Sequence, residues 1–545
     1  MRQPLCLGEI LRLGAGPTRH GAKPALVWGE RTYTYAELNA RANQAAHALH
    51  ALGVQRGERV AVLGRNCPEY VWLYFALAKL GAIMVPVNFW YRSGEIAYTL
   101  RQSGTTTFLF DERFRPQAET AAREVPGVRR SLTWGGRPSA LETHMAEMPE
   151  VEPEATVTPD DHHIILYTSG TTGFPKGALF RHQAHYLHAV SWALMTGQRE
   201  GDVGLLVYPL FHTGGPDCVL LPHLLVGGTV VLLDGAEPQA MLQAISRHRV
   251  NNVFAVPTVW RRLLGALEGA PAQAYDVSSV RRCLGSSDTL PPDLLEAILA
   301  RFEAEVYVTY GLTEAGCILT YSRLSRDGKG KIRAVGRAHP LVELRLGPPQ
   351  EGTDGAQDGP PAGVAPGAVG EVLARGPTLM DGYWDMPDKT AETMAGGWLH
   401  SGDLGRFDAD GDLYLAGRAK DVIISGGEKV YPLEVEQLLK ELPGVAEAAL
   451  VGVPDTEWGE AVLACVVRTD DEAGRALTAE AIQRFVRPRL AGYKCPRFVE
   501  FLSALPKTAA TNKVQKAVLR QRYATLGEKS PVPLPEAPAG GGGRG

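Results

Sequence analysis

Residues 167–178 contain the densest group of side chains that could perform chemistry. The stretch reads YTSGTTGFPKGA and holds three glycines, three threonines, a serine and Lys176. Glycine lets a backbone approach an anion closely, while hydroxyls, amide N–H groups and a lysine supply donors and positive charge. These residues predict a phosphate-binding loop, although a Gly/Ser/Thr cluster can also be an ordinary turn. The loop differs from a Walker A motif, which ends in Gly-Lys-Ser/Thr.

Two other motifs carry residue types that suit ligands. His212 lies in PLFHTGG, beside two glycines at the end of a predicted strand, where α/β proteins bind ligands; the alternative is a histidine packed in a turn. Thr313 and Glu314 end the segment YVTYGLTE and offer oxygen ligands for a hard cation, or a cap for a helix.

Histidine and cysteine spacing does not indicate a zinc site. His182, His185 and His188 follow the loop, but HExxH is absent, and we expect an ordinary polar helix face there rather than a metal site. The seven cysteines are scattered without a CxxC pair, which fits a reducing compartment and predicts a cytoplasmic protein.

These motifs need a scaffold of alternating strands and helices. Predicted strands at 59–63, 82–87, 107–110 and 164–166 alternate with helices, one of which begins at the capping box Thr34–Glu37. After the loop, the mixed segment 177–190 predicts a helix. This alternation indicates an α/β fold of doubly wound layers, and the hairpin signal Asp410-Gly411 belongs to a β-rich subdomain.

Length and composition predict a multidomain globular protein. The 545 residues are 45% hydrophobic and 21% charged with a net charge of −4, so nucleic acid is an unlikely partner. The most apolar segment, residues 70–87, is interrupted by Lys79, Gly81 and Pro86, so we expect no transmembrane segment. We predict an N-terminal domain at 1–419, a small mobile α+β C-terminal domain at 420–529 and a disordered Pro/Gly-rich tail at 530–545.

The motifs, taken in their order along the chain, resemble those of one enzyme family. YTSGTTGFPKG, PLFHTGG, YGLTE, GWLHSGD, GRAKDVI with SGGEKVYP, and a terminal PKTAATNK together resemble the adenylate-forming (ANL) superfamily, in its acyl-CoA synthetase branch. The resemblance extends from about Thr34 to the helix after Lys513. It implies that a carboxylic acid attacks the α-phosphate of ATP, giving an acyl-adenylate and pyrophosphate, and that the thiol of coenzyme A then displaces AMP.

The resemblance also implies roles for individual residues. Lys513 is implied as the catalytic lysine, His212 as the gate of the acid pocket, Lys420 as the hinge, and Thr168 with Glu314 as the holders of Mg²⁺. The residues implied to bind ATP or coenzyme A are Thr168, Ser169, Gly170, Thr171, Thr172, Gly173 and Lys176 at the triphosphate, Tyr310, Gly311, Thr313, Ser287 and Asp288 at adenine, Asp403 and Arg418 at the ribose, and Ser425, Gly426 and Gly427 at the thiol tunnel.

Two segments depart from the family pattern. The terminal lysine motif has an extra alanine at 509–510, and Asn512 stands where glycine is usual, although asparagine also tolerates a left-handed turn. The adenine segment reads GSSDT where many relatives carry a glycine pair.

The sequence leaves the substrate open between two kinds of acid. A fatty or similar apolar acid is the leading prediction and an aryl acid is the alternative, with Trp192, Trp260 and Cys317 as candidates to shape the pocket. A nucleotide-binding regulatory protein without catalysis is the alternative from another class. A homodimer is the candidate oligomeric state.

Overall fold

The computed structural model describes residues 4–136, 139–168, 175–271, 274–285, 290, 292–324, 331–348, 363–365, 367–425, 428–455, 458–508 and 513–526. Its strands are β1 (Pro24–Trp28), β2 (Arg31–Thr34), β3 (Arg59–Leu63), β4 (Ile83–Val87), β5 (Thr107–Asp111), β6 (Arg130–Trp134), β7 (His162–Thr168), β8 (Lys176–Arg181), β9 (Val203–Leu206), β10 (Thr229–Leu232), β11 (Asn252–Ala255), β12 (Arg282–Gly285), β13 (Glu305–Tyr310), β14 (Thr320–Leu324), β15 (Arg337–Ala338), β16 (Glu343–Gly347), β17 (Gly370–Arg375), β18 (Gly382–Tyr383), β19 (Leu399–Phe407), β20 (Leu413–Arg418), β21 (Ile423–Ser425), β22 (Glu428–Val430), β23 (Val445–Asp455), β24 (Gly459–Arg468) and β25 (Phe498–Leu502).

The helices are α1 (Gly8–Gly14), α2 (Tyr35–Ala51), α3 (Pro68–Leu80), α4 (Ser93–Ser103), α5 (Arg115–Arg123), α6 (Ala140–Met145), α7 (His182–Met195), α8 (Leu221–Val226), α9 (Pro238–His248), α10 (Pro257–Glu268), α11 (Pro292–Arg301), α12 (Pro387–Thr393), α13 (Pro432–Leu439), α14 (Glu472–Ala476), α15 (Ala479–Val486) and α16 (Lys516–Arg522). A π-helix at Pro216–Leu220 leads into α8, and a 3₁₀ turn at Thr313–Ala315 follows β13.

Within the described ranges, the strands form four sheets. One has the order β15-β14-β13-β12-β11-β9-β10-β1-β2 and is parallel from β13 to β1, and another has the order β18-β8-β7-β4-β3-β5-β6 and is parallel from β7 to β6. The antiparallel sheet β16-β17-β19-β20 is the predicted β-rich subdomain, and β21 to β25 form the sheet of the smaller C-terminal domain. The predicted α/β architecture, with a large N-terminal and a small C-terminal domain, is confirmed.

The core of the large domain forms around α2 and α3. The hydroxyl of Thr34 accepts from the amide of Glu37 at 3.2 Å, and the Glu37 carboxylate accepts from the amide of Thr34 at 2.8 Å, so the predicted capping box is confirmed. Helix α3 is buried along nearly its whole length in the cluster that joins the two large sheets. This burial explains its apolar sequence, because the helix is a core element. No described helix has the length and apolarity to cross a membrane.

The segment that follows the phosphate loop is a strand, and the prediction of a helix over 177–190 is wrong at its start. Antiparallel pairing sets Thr168 of β7 opposite Lys176 of β8, and helix α7 begins only at His182. On its other side β8 pairs with β18, which lies two hundred residues further along the chain. These non-local hydrogen bonds decide the conformation, and the local sequence does not contain them.

The prediction of a polar helix face at the three histidines is also wrong. His182, His185 and His188 on α7 are all buried, and the imidazole Nδ1 of His185 lies 3.0 Å from Oδ1 of the buried Asp217. Burial lowers the pKa of His182 and of His188 to about 3, so both imidazoles are neutral.

A different group of acidic residues lies close enough together to share a cation. Among the described residues, the carboxylates of Asp408, Asp410 and Asp412 form this group, and the ammonium of Lys331 forms ion pairs with all three. The three aspartates follow β19 and close the predicted hairpin to β20, so Lys331 offsets part of the negative charge that this turn concentrates.

The C-terminal domain has the predicted α+β order. Helix α15 lies in this domain, and β23 and β24 pair along nearly their whole length. The guanidinium of Arg520 on α16 donates to the carbonyl of Lys420 at 3.2 Å and to the carboxylate of Asp421 at 2.9 Å. The predicted hinge segment is thereby tied to the last helix of the chain.

Candidate functional site

Part of the predicted site lies outside the described residues. This part comprises Ser169, Gly170, Thr171, Thr172 and Gly173 of the phosphate loop, Ser287 and Asp288 of the adenine segment, Gly426 and Gly427 of the thiol tunnel, and the predicted tail at 530–545. The remaining predicted residues are described, and they fall into three groups.

The first group surrounds the base of the phosphate loop. The ammonium of Lys176 lies 4.2 Å from the centre of the Tyr383 ring, and the hydroxyl of Tyr383 donates to Oε1 of Glu314 at 2.7 Å. A cation over an aromatic face is stabilised by the ring quadrupole. Burial lowers the pKa of Lys176, and the nearby Glu314 carboxylate opposes that shift. Tyr383 therefore links the predicted leaving-group lysine to the predicted metal ligand.

Sequence reasoning missed Tyr383. It lies in β18, far from both of its partners in the chain, and only the pairing of β18 with β8 brings it to the site. The residue before it, Gly382, has a φ of +151°, and a Cβ there would lie 2.5 Å from Cγ2 of Thr390. Only glycine fits at that position.

The second group lies at the ends of β13 and β19. The hydroxyl of Tyr310 donates to Oδ2 of Asp403 at 2.8 Å, and Nε of Arg418 lies 3.0 Å from Oδ1. Burial, followed by the charge of Asp403, raises the pKa of Tyr310 well above its ordinary value, so the hydroxyl remains a donor. Each carboxylate oxygen of Asp403 keeps a second lone pair, which leaves room to accept from ribose hydroxyls.

Two further features hold this second group in place. Oε1 of Glu371 accepts from the amide of Gly402 at 2.9 Å, and Oε2 lies 3.1 Å from Nδ1 of His400, so Glu371 fixes the turn before Asp403. At Gly311, a Cβ would lie 1.8 Å from the carbonyl oxygen of Cys317, so the chain packs against itself there and leaves no room for a side chain. Thr313 follows as the first residue of the 3₁₀ turn that presents Glu314.

The third group joins the two domains at His212. Burial, and then the charge of Lys513, lower the pKa of His212 to about 4, so the imidazole is neutral and the ammonium of Lys513 lies close to it. The amide of Gly214 donates to Nδ1 of His212 at 3.2 Å, which leaves Nε2 to carry the proton. His212 is therefore a donor, not a general base. The backbone amide of Lys513 donates to the hydroxyl of Thr508 at 3.2 Å across a short hairpin.

Asn66 positions the segment that carries His212, and sequence reasoning missed it. Its side-chain amide donates to the carbonyl of Tyr208 at 2.8 Å and to that of Leu233 at 3.1 Å, while its oxygen accepts from the amide of Leu210 at 2.9 Å. Asn66 follows β3 at the carboxyl edge of its sheet, where polar side chains commonly serve ligand sites. Its position shortly after a predicted strand is the feature of the sequence that could have identified it.

The other predicted residues belong to the hinge, the thiol tunnel and the acid pocket. Lys420 lies in a 3₁₀ turn between the two domains. The residue as a whole is exposed, but partial desolvation of its ammonium, followed by the charge of Arg418, lowers its pKa. Ser425 is buried at the end of β21. Trp192 and Cys317 belong to the core cluster of the large domain that joins its two sheets, whereas Trp260 packs against Phe302 in a separate core cluster. All seven cysteines are free.

Comparisons with known proteins agree with this arrangement. The family model described as AMP-binding enzyme matches residues 15–384, and that described as AMP-binding enzyme C-terminal domain matches residues 434–512. The chain is 37% identical to a feruloyl-CoA synthase of an Amycolatopsis species, over 94% of this chain and 99% of the relative. It is 34% identical to the long-chain-fatty-acid–CoA ligase FadD13 of Mycobacterium tuberculosis, over 90% and 93%. A crystal structure of the anthranilate CoA ligase AuaEII with anthranoyl-AMP superposes with a TM-score of 0.84 at 30% identity, covering 96% of this chain and 99% of that one.

Proposed function

This chain belongs to the family of AMP-binding enzymes and is an ATP-dependent, AMP-forming acyl-CoA ligase, and we propose that it activates an apolar monocarboxylic acid beside His212 and Lys513. The observation that carries the proposal is that the positive charge of Lys513, from the small domain, acts on the buried imidazole of His212 in the large domain. An acid anion and a triphosphate repel each other, and the ammonium of Lys513 offsets that repulsion where the two must meet.

In the first half-reaction, a carboxylate oxygen of the acid attacks the α-phosphorus, and the bond from that phosphorus to the bridging oxygen of pyrophosphate breaks. Nε2–H of His212 donates to the acid, and Lys513 stabilises the charge that develops on the α-phosphate. Asp403 accepts from the ribose hydroxyls, with Arg418 and Tyr310 fixing its orientation. Lys176 holds the departing pyrophosphate.

The oxygen ligands at the base of the phosphate loop fit Mg²⁺. Tyr383 donates to only one carboxylate oxygen of Glu314, and the other oxygen, together with the hydroxyl of Thr168, offers the hard donor set that Mg²⁺ prefers. A bound Mg²⁺ would supply charge compensation on the phosphates. Thr168 and Glu314 would hold it, and Tyr383 would orient Glu314.

In the second half-reaction, the sulfur of coenzyme A attacks the acyl carbon, and AMP leaves with the electron pair of the acyl–oxygen bond. We propose that the C-terminal domain rotates at Lys420 between the two steps, which withdraws Lys513 and brings the Ser425 face to the site. The boundary at residue 420, the cytoplasmic location and the homodimer remain predictions.

Pyrophosphate release over a panel of carboxylic acids, measured with and without coenzyme A, tests the proposal. We expect release with apolar acids and thioester formation only when coenzyme A is present. No release with any acid would contradict the proposal. Release without thioester would assign a different acceptor. The non-catalytic regulator is not supported, because the family assignment and the site residues both indicate an enzyme.

A further inference from the structure

Behind His212, a row of aromatic side chains leads into the large domain. The rings of Tyr208 and Phe254 stack with centroids 4.9 Å apart, and Phe254 meets Trp192 edge-on at 6.1 Å. We call Tyr208, Phe254 and Trp192 the aromatic wall. Tyr208 begins the wall next to His212, with 6.4 Å between their ring centroids.

The aromatic wall is closed behind its first ring. Tyr208 is half-buried, whereas Phe254 is 2% exposed and Trp192 is 1% exposed. The indole Nε1 of Trp192 donates to the carbonyl of Cys218 at 2.8 Å, and Sγ of Cys218 lies 3.3 Å from Sγ of Cys317. The volume that a long acyl chain needs is thus filled by protein side chains, and one of them is anchored by a buried hydrogen bond.

The layer behind the aromatic wall is polar. His188 stacks on the far side of Trp192 at 6.4 Å with an angle of 14° between the rings, and beyond it lie His185 and Asp217, 3.0 Å apart and 1% exposed. We call His185, His188 and Asp217 the His–Asp layer. An aliphatic chain that passed Trp192 would contact imidazoles and a carboxylate among the apolar side chains of this core, and would displace their polar neighbours at a cost.

We propose that the acid pocket selects compact aryl acids and rejects long-chain fatty acids, because Phe254 and Trp192 close it behind Tyr208. This inference rests on the proposed function and names the substrate class of that same site. Tyr208 is the half-buried ring of the wall, and a planar ring that lies against its exposed part gains ring–ring contact in addition to area burial. Along this row of described side chains, Phe254 and Trp192 occupy the path that a flexible chain of many carbons would take.

The test compares kcat/KM for pyrophosphate release with benzoic, trans-cinnamic, octanoic and palmitic acids. For the wild-type enzyme we expect an efficiency at least ~10-fold higher with cinnamate than with palmitate. In Trp192→Ala, Phe254 gains space to swing inward, and we expect the cinnamate-to-palmitate ratio to fall by about 10-fold. Phe254→Leu is a smaller change to the aromatic wall, and we expect it to shift the cinnamate-to-palmitate ratio in the same direction.

Trp260→Ala is the matched control. Trp260 is as buried as Trp192 and its indole also donates to a carbonyl, that of Leu284 at 3.2 Å, but it packs in the other core cluster. We expect it to lose thermal stability and keep the wild-type acid ratio. An equal ratio shift in Trp192→Ala and Trp260→Ala, or palmitate used as efficiently as cinnamate by the wild type, would overturn the proposal.

A binding measurement separates this proposal from the ligase reaction. Each acid is added with AMP, and the rise in the midpoint of thermal unfolding is recorded. Cinnamate that protects the protein while palmitate does not supports the size selection even if no acid releases pyrophosphate, which would refute only the proposed function. Equal protection and equal turnover with all four acids would refute only the size selection.

Discussion

The two domains hold their site lysines in opposite ways. In the large domain, Lys176 is half-buried over the ring of Tyr383, which is itself bonded to Glu314. In the small domain, Lys513 is exposed at the end of a hairpin, and its position beside His212 depends on how the domains meet. The large domain thus has a cation fixed in place, whereas the small domain delivers one from outside.

The different surroundings of Lys176 and Lys513 suit the two lysines to different roles. A lysine fixed among buried partners suits a group that is held throughout the reaction, such as the polyphosphate. A lysine carried by a second domain suits a charge that is needed in one half-reaction only. The following predictions test this contrast between a fixed and a delivered lysine.

Lys513→Ala should give the largest effect. We expect adenylation to slow by a factor of about 10²–10³, because one charge contact at the reacting phosphate is lost. Thioester formation from supplied acyl-adenylate should be largely spared. Both half-reactions are followed by single-turnover assays. Lys507→Ala, in the same hairpin but ion-paired to Glu447 at 2.6 Å, is the control and should change adenylation little. Equal loss of both steps in Lys513→Ala would contradict a delivered lysine.

Acid should unfold the large domain before the small one. All fourteen histidines precede residue 420, and the pKa of His182 and of His188 is lowered to about 3 from 6.5 by burial. The unfolded chain binds these protons first, so their contribution to stability is complete above pH 6.5 and is lost as pH falls toward 3, at about 1.4 kcal/mol per pH unit for each histidine.

Hydrogen exchange at pH 7.5 and 5, corrected for intrinsic rates, checks this order. Peptides of the large domain should lose protection first. His188→Phe should flatten the pH dependence, whereas His144→Phe, at an exposed position, should not. Simultaneous loss of protection in both domains would refute the assignment to buried histidines.

Tyr383→Phe should have a moderate effect. The variant keeps the ring under Lys176 and removes the hydroxyl that donates to Glu314, so we expect a loss in kcat/KM for ATP of about 5-fold, equivalent to about 1 kcal/mol. Tyr307→Phe is the matched control, since its hydroxyl also donates to a glutamate, Glu305, at 2.8 Å, but outside the site. The same loss in both variants would remove Tyr383 from the site.

The smallest effect should be a change in the pKa of His212. Lys513→Ala removes the second cause of its lowered value, so the pKa should rise above about 4, while burial still holds it below its ordinary value. Lys176→Ala should leave it unchanged. Titration of the His212 ring protons by NMR checks both variants. An unchanged pKa in Lys513→Ala would mean that the two residues lie apart in solution.

The parts of the fold that were predicted correctly depend on local sequence. The capping box at Thr34 and Glu37 was found because its hydrogen bonds join residues three apart. Strand β8 was missed because its partners β7 and β18 are selected by the tertiary fold, and the burial of His185 was missed for the same reason.

The site shows the same limit. The motif around Lys176 was visible in the sequence, but its link to Glu314 passes through Tyr383, which no local pattern marks. The roles of Asp403 and Lys513 came from a family resemblance. Spacing alone does not bring residues from three parts of the chain together.

Asn66 has a consequence for how such a protein can change over generations. Its amide bonds only to main-chain atoms, of Tyr208, Leu210 and Leu233, so its hold does not depend on which side chains those positions carry. Substitutions along the aromatic wall can therefore accumulate while the loop keeps its attachment to the scaffold. An ancestral ligase could in this way acquire a new acid without rebuilding the part of the site that handles the nucleotide.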